Sequence, residues 1–238
     1  MLSPMTLQAG RHRHRRRGRI PRGWYLPTYS ADMVIPFYGS TDREMFAIER
    51  AAMDRPGKVI AVLDELLPRV GRVVDIGAGD GFTPERLTTR SRLVVPVEPA
   101  AGMIDHARPL PWVRATAQAL PFRTDTFDGA YATWAYFFPS FLDISAGLEE
   151  ARRVVRPSGP IIIVDNAGDD AFTAMADEDH AADLDFWRAQ GFEIRIVETA
   201  FVFDTLDDAE KLLGFYFGDA ARPALQIDYR VAVMVSHA

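Results

Sequence analysis

The stretch VVDIGAGDGFTPERL at residues 73–87 runs from a β-branched apolar segment through three close glycines into a helical pattern. Gly77 and Gly79, with Ala78 between them and Gly81 beyond, allow a tight turn and let main chain approach a ligand with no side chain between. The N–H groups opening the following helix favour an anion. Glu98 ends the next apolar run, LVVPV. A carboxylate there can accept hydrogen bonds from both ribose hydroxyls of an adenosine. A glycine turn alone is equally a plain structural turn, and Asp75 could simply bond its own loop. Glu98 beside the glycines turns the reading toward a nucleoside cofactor.

A dinucleotide would favour Gly-x-Gly-x-x-Gly, and here the third glycine comes one residue earlier. The lysines are Lys58 and Lys211 alone, so no Tyr-x-x-x-Lys pair is present for hydride transfer, and there is no Gly-Lys-Ser/Thr phosphate loop. Four segments in order, over residues 70–166, resemble the class I S-adenosylmethionine-dependent methyltransferases, in particular their broad small-molecule group. They are the glycine motif, Glu98-Pro99 with Met103, the run ATAQALPFRTDTFDGAYA at 115–132, and LEEARRVVRPSGPIIIVD at 148–165.

The resemblance implies S-adenosyl-L-methionine as cofactor, S-adenosyl-L-homocysteine as product, and roles by position. Asp75 with the main chain of Gly77, Ala78 and Gly79 would hold the methionine end, and Glu98 the ribose. Pro99 and Met103 would pack near the adenine, with Ala117 and Gln118 at its edge. Thr133 and Trp134 would lie beside the sulfonium and the acceptor. Thr116 departs from the pattern, standing where the family often has an acid that accepts from the adenine amino group. A hydroxyl accepts that bond more weakly than a carboxylate.

Methyl transfer demands mainly that the acceptor be held in line with the sulfonium methyl and that water be excluded. An oxygen or nitrogen acceptor can also need a general base. The catalytic candidates are weak. His180 lies in a segment where such folds build acceptor pockets, Asp165 ends a strand, and Tyr38 could orient the acceptor; each has a plain structural reading as well. His106 reads as a surface residue. Aromatic residues cluster at Trp24, Tyr25, Tyr29, Phe37 and Tyr38, at Trp134, Tyr136, Phe137, Phe138 and Phe141, and at Phe215, Tyr216 and Phe217. These could be ordinary packing or the wall of an apolar acceptor pocket. The pocket is expected to use Tyr29, Tyr38, Trp134, Tyr136 and Phe137. No metal site is expected.

The elements that must position these residues alternate regularly. Strands are predicted at 72–76, 93–97, 112–115, 127–133, 161–165, 192–203 and 227–236. Helices are predicted from a Ser40 or Thr41 cap through 53, from Pro56 to before Pro68, through about 89, at 101–107, 142–155, 177–190 and 206–213. Such alternation implies an α/β fold, a doubly wound, Rossmann-like, mostly parallel seven-stranded sheet with helices on both faces and an antiparallel edge strand. Residues 23–69 read as a helical lid or cap, and 70–238 as the cofactor-binding domain.

Residues 1–22 hold seven arginines and no acid. They read as a disordered leader, or as sequence ahead of a second start at Met33. Of 27 Lys+Arg against 33 Asp+Glu, 20 basic residues remain without those seven, so the rest of the chain is strongly acidic. That weighs against a nucleic-acid partner. The absence of cysteine excludes disulfides, thiolate zinc sites and a cysteine nucleophile. No window reaches the roughly 18 apolar residues of a membrane helix, and no secretory pattern opens the chain. A cytoplasmic enzyme methylating a small, hydrophobic or aromatic metabolite is the leading expectation, with a homodimer left open. The alternatives are an RNA methyltransferase using the arginine tail as an arm, and a non-catalytic S-adenosylmethionine-binding protein.

Overall fold

The computed structural model describes residues 38–135, 144–176 and 181–238. Six strands form one mixed sheet in the order β2-β1-β3-β4-β6-β5. They are β1 (Gly71–Ile76), β2 (Arg92–Val97), β3 (Gly129–Thr133), β4 (Pro160–Asn166), β5 (Glu193–Val202) and β6 (Gln226–His237). The helices are α1 (Arg43–Ala52), α2 (Lys58–Leu66), α3 (Phe82–Leu87), α4 (Ser145–Val154), α5 (Leu184–Ala189) and α6 (Leu206–Phe217).

Strands β1 to β4 are parallel and β6 is antiparallel to both its neighbours. The strand order reverses between β1 and β3, which opens a crevice at their carboxyl ends, where ligands bind in open α/β sheets. Alternation along each strand sends residues to two cores. Val73, Tyr131, Ile162, Val164, Tyr229 and Val231 pack under α1, α2 and α6. Val74, Ile76, Ala130, Ala132, Ile161 and Ile163 pack under α4 and α5.

Several expectations change. Among the described residues there are six strands, not seven, because the 112–115 segment contributes only a bridge between Val113 and Val97. Val113 exchanges two hydrogen bonds with Pro96 and Glu98, but Pro109 and Pro111 just before it cannot donate to a ladder. The antiparallel strand is not at the edge: β6 lies inside the sheet, and β5, with Glu193, Arg195 and Glu198 exposed, guards the edge. No helix forms over 101–107. Arg43 draws the Gly102 carbonyl into hydrogen bonds at 3.1 Å and shorter, and Asp105 bends the chain by accepting the Ala107 N–H at 3.0 Å.

Helix boundaries follow capping. Asp42, rather than Ser40 or Thr41, accepts the Met45 N–H at 2.9 Å, and the Thr41 hydroxyl turns back to the Tyr38 carbonyl. Helix α2 begins at Lys58 rather than at Pro56 because Asp54 accepts the Lys58 and Val59 N–H groups at 3.0 and 2.9 Å. Asp183 caps α5 at 2.9 Å, which shortens the helix expected over 177–190. Of that helix residues 177–180, and of the one expected at 142–155 residues 142–143, lie outside the described residues. Helix α6 runs on to Phe217, so the third aromatic cluster is helical.

Candidate functional site

Strand β1 delivers Asp75 to the crevice, fully buried on the face that also carries Val73 and Tyr131. Neither carboxylate oxygen has a hydrogen-bond partner among the described residues. Burial pushes its carboxyl well above the usual range; the nearby Tyr131 hydroxyl draws it partly back, and the Glu98 charge raises it further. The Tyr131 hydroxyl is itself buried without an ordinary hydrogen bond. A buried carboxylate left like this is costly unless a cation or donor arrives.

Glu98 follows β2 and is 6 % exposed. One oxygen accepts the Gly79 N–H at 2.9 Å and the other the Ala100 N–H at 2.8 Å. Burial pushes its carboxyl up to about 7, against the pull of those two N–H groups. Each carboxylate oxygen has a second acceptor direction for a hydroxyl.

Two glycines are required by contact as well as conformation. Gly77 has φ +78°, and a Cβ there would stand 2.5 Å from the Ala135 Cβ. Gly81 has φ +84°, and its Cβ would meet Trp112 and Leu110 at 2.7 and 2.8 Å. The loop therefore lies flat against the end of β3 on one side and the 110–112 segment on the other. The start of α3 does not serve as an anion site. Asp80 accepts the Phe82 N–H at 3.1 Å and pairs with Arg50 at 2.9 Å, so the chain's own carboxylate fills that position.

Of the other expected cofactor residues, Met103 is buried, and its methyl and the Phe46 ring lie 3.6 and 3.8 Å from where a Gly79 Cβ would be. Pro99 is half-buried and its carbonyl accepts from Arg114 at 3.3 Å. Ala78 is buried beside them. Thr116 and Ala117 are half-buried and Gln118 is exposed. Thr133 ends β3 half-buried. Trp134 turns its indole to Tyr229, whose hydroxyl it reaches at 2.9 Å.

On the acceptor side, Tyr38 is buried, and its hydroxyl donates to Glu49 and lies 3.0 Å from the Tyr216 hydroxyl, which donates its own proton to Glu49. Burial raises the Glu49 carboxyl, and the two hydroxyls hold it partly down. Asp165 is 1 % exposed, with one oxygen on the Asn166 N–H at 2.7 Å and the other unpartnered. Burial pushes its carboxyl up to about 8. It shares a face with Ile161 and Ile163, the opposite one from Asp75. His106 is exposed. Tyr29, Tyr136, Phe137 and His180 lie outside the described residues. An open groove of about 1140 Å³ between the 168–176 loop and strands β5 and β6 contains no residue of the glycine loop.

Sequence reading missed Ala135, Asn166, Tyr229 and Glu49, and placed Tyr216 only within an aromatic cluster. Asn166, next to Asp165 at the end of an otherwise apolar strand, and Glu49 on the apolar face of α1 were the available signals.

Comparison with known proteins bears on this same segment. The model of the methyltransferase domain family matches residues 74–163, which span the glycine loop, Glu98, strand β3 and the first half of β4. Residues 74–163 are thus similar to a methyltransferase domain. The chain is 36 % identical over 106 residues to a demethylmenaquinone methyltransferase of Corynebacterium kroppenstedtii, covering 43 % of this chain and 45 % of that protein. It is 34 % identical over 121 residues to an uncharacterised methyltransferase of Mycobacterium tuberculosis, covering 49 % of each. The match thus spans about half the length of these relatives. Among solved structures, an S-adenosylmethionine-dependent methyltransferase of Thermotoga maritima shares the fold with a TM-score of 0.53 at 19 % identity, over 82 % of this chain and 93 % of that one. S-adenosylmethionine is the cofactor that a methyltransferase domain of this class uses. The unpartnered carboxylate of Asp75 and the glycine main chain beside it suit its ammonium and carboxylate end, and Glu98 suits its ribose. No described helix of the domain is long and apolar enough to cross a membrane.

Proposed function

We propose that this chain transfers a methyl group from S-adenosylmethionine to a small hydrophobic or aromatic metabolite. The observation that carries the reading is the pairing of Asp75, buried with both oxygens unpartnered, with Glu98, whose carboxylate is bonded to the glycine loop. The cofactor supplies an electrophilic methyl on a sulfonium; the protein contributes placement. Asp75 takes the ammonium group, the main chain at Gly77, Ala78 and Gly79 lines the methionine end, and Glu98 accepts from the ribose hydroxyls. Pro99, Met103, Thr116, Ala117 and Gln118 border the adenine, and Thr133 and Trp134 stand toward the acceptor.

Among the described residues, 38–69 act as the cap and those from 70 onward carry the cofactor site. Tyr38, tied into Glu49 and Tyr216, lines the pocket rather than moving protons. Asp165 lies on the opposite face of the sheet from Asp75, and its carboxyl, pushed up to about 8 by burial, holds its proton at neutral pH, so transfer rests on placement rather than on Asp165 as a base. The names of the relatives support a small-molecule acceptor. The test is calorimetry with S-adenosylmethionine and S-adenosylhomocysteine, followed by methyl transfer to a panel of quinols and phenols that begins with demethylmenaquinol. Absence of binding to either nucleoside sinks the proposal; binding without transfer to any acceptor returns the chain to a non-catalytic binding role.

A further inference from the structure

Five non-glycine residues among those described have positive φ: Asp54, Asp125, Ser158, Asp169 and Trp134. Asp and Ser adopt that conformation with help from their short polar side chains, whereas a bulky aromatic side chain does so only when its surroundings impose it. Trp134, at φ +49°, is therefore held. Its backbone N–H donates to the Val164 carbonyl at 2.8 Å, which continues the β3–β4 pairing by one residue. Its indole N–H donates to the Tyr229 hydroxyl at 2.9 Å, and that hydroxyl donates in turn to the Asn166 side-chain carbonyl. Tyr229 is wholly buried, its ring packed against Phe201 and Phe172 at 4.9 and 5.4 Å, so its hydroxyl has a fixed position. The next residue, Ala135, lies against Gly77, leaving no room for a side chain there.

We propose that Tyr229 and Asn166 are positioning residues for cofactor binding, holding the strained turn at Trp134 so that Ala135 seats the glycine loop at Gly77. The chain of contacts runs from β6 and β4, through the indole, to the loop whose main chain lines the methionine end. It links the interior antiparallel strand to the crevice and gives the strained conformation a purpose. The inference rests on the cofactor reading above.

Calorimetry with S-adenosylhomocysteine on the full chain tests it. Tyr229→Phe keeps the ring and deletes the hydroxyl, and should weaken binding by about three- to tenfold, the scale of one neutral hydrogen bond. Trp134→Phe, which deletes the indole donor at the other end together with part of the ring, should weaken binding at least as much. The double variant should bind no worse than the weaker single, because both remove one coupling. Thr199→Val breaks a buried hydrogen bond of 2.6 Å to Asp54 on the edge strand; it should lower the melting temperature without moving affinity. If the wild type binds and Tyr229→Phe binds within twofold of it, the proposal is wrong. It is equally wrong if Thr199→Val weakens binding as much, or if the two single effects simply add. If Tyr229→Phe does not fold, Trp134→Phe decides by the same twofold limit. A wild type that binds neither nucleoside overturns the cofactor reading itself, which the variants alone would not do.

Discussion

Glu98 accepts the Gly79 N–H at 2.9 Å, so the carboxylate proposed to hold the ribose also braces the loop proposed to hold the methionine end. Removing it should act twice. Glu98→Ala should weaken cofactor binding by about 1.5–3 kcal/mol, the range for hydrogen bonds to a charged group. It should also lower the melting temperature of the free protein, because the Gly79 and Ala100 N–H groups lose their partner. Calorimetry and thermal melts on one preparation check both. Unchanged affinity in a folded variant removes the ribose role, whatever the melt shows.

The same carboxylate predicts a pH dependence. Its folded value is about 7 against an ordinary 4.5, chiefly through burial. Between those two values the folded, cofactor-free protein holds a proton that the unfolded chain has released. The contribution of Glu98 to stability is therefore fully present below pH 4.5 and is lost as pH rises through about 7. Ribose hydroxyls donate to the ionised form, so binding should release this proton. Affinity should rise with pH up to about 7 and flatten above it, by no more than about tenfold per pH unit. Calorimetry in buffers of different ionisation enthalpy measures the proton directly; uptake on binding would contradict the assignment.

The parts of this site written in local sequence were legible: the glycine turn, Glu98 at a strand end, and the β-branched runs that became β1, β2 and β4. Their positions depend on neighbours within a few residues and on the period of the strands. What was not legible depends on distant packing. Val113 makes one bridge rather than a strand because the prolines before it outweigh its β-branched pattern. Strand β6 enters between β4 and β5, a choice of partner that alternation cannot encode. Ala135 gave no signal at all, since its importance comes from a glycine 58 positions earlier lying against it. Trp134 was read as an acceptor contact from its place after β3, and the indole bond to Tyr229 became visible only with β6 in place.

Asp75 should show opposed effects on binding and stability. Its carboxylate is buried with no hydrogen-bond partner among the described residues, and burial raises its proton affinity. Asp75→Asn removes the charge at nearly constant shape. The cofactor-free variant should melt at the same temperature or higher at pH 8, because an amide carries no charge whose burial must be offset. Its affinity for S-adenosylmethionine should fall at least about tenfold, since an amide cannot pair with an ammonium as a carboxylate does. A variant that melts lower and binds normally would make Asp75 a structural residue of the loop.

Gly77 separates conformational from steric demands. Substitution by alanine would place a Cβ 2.5 Å from the Ala135 Cβ in a backbone with φ +78°. Left-handed backbone costs a non-glycine residue about 1 kcal/mol, and overpacking typically adds about 1–3 kcal/mol. Gly77→Ala should therefore destabilise by about 2–4 kcal/mol and displace the loop from the end of β3. Adding Ala135→Gly removes the atom in the way but not the backbone strain. The double variant should recover most of the lost stability and stay about 1 kcal/mol below wild type. Denaturant unfolding of the two single variants and the double variant gives the coupling directly. Additive losses would mean that the two residues do not touch, and the seating of the glycine loop on β3 would have to be abandoned.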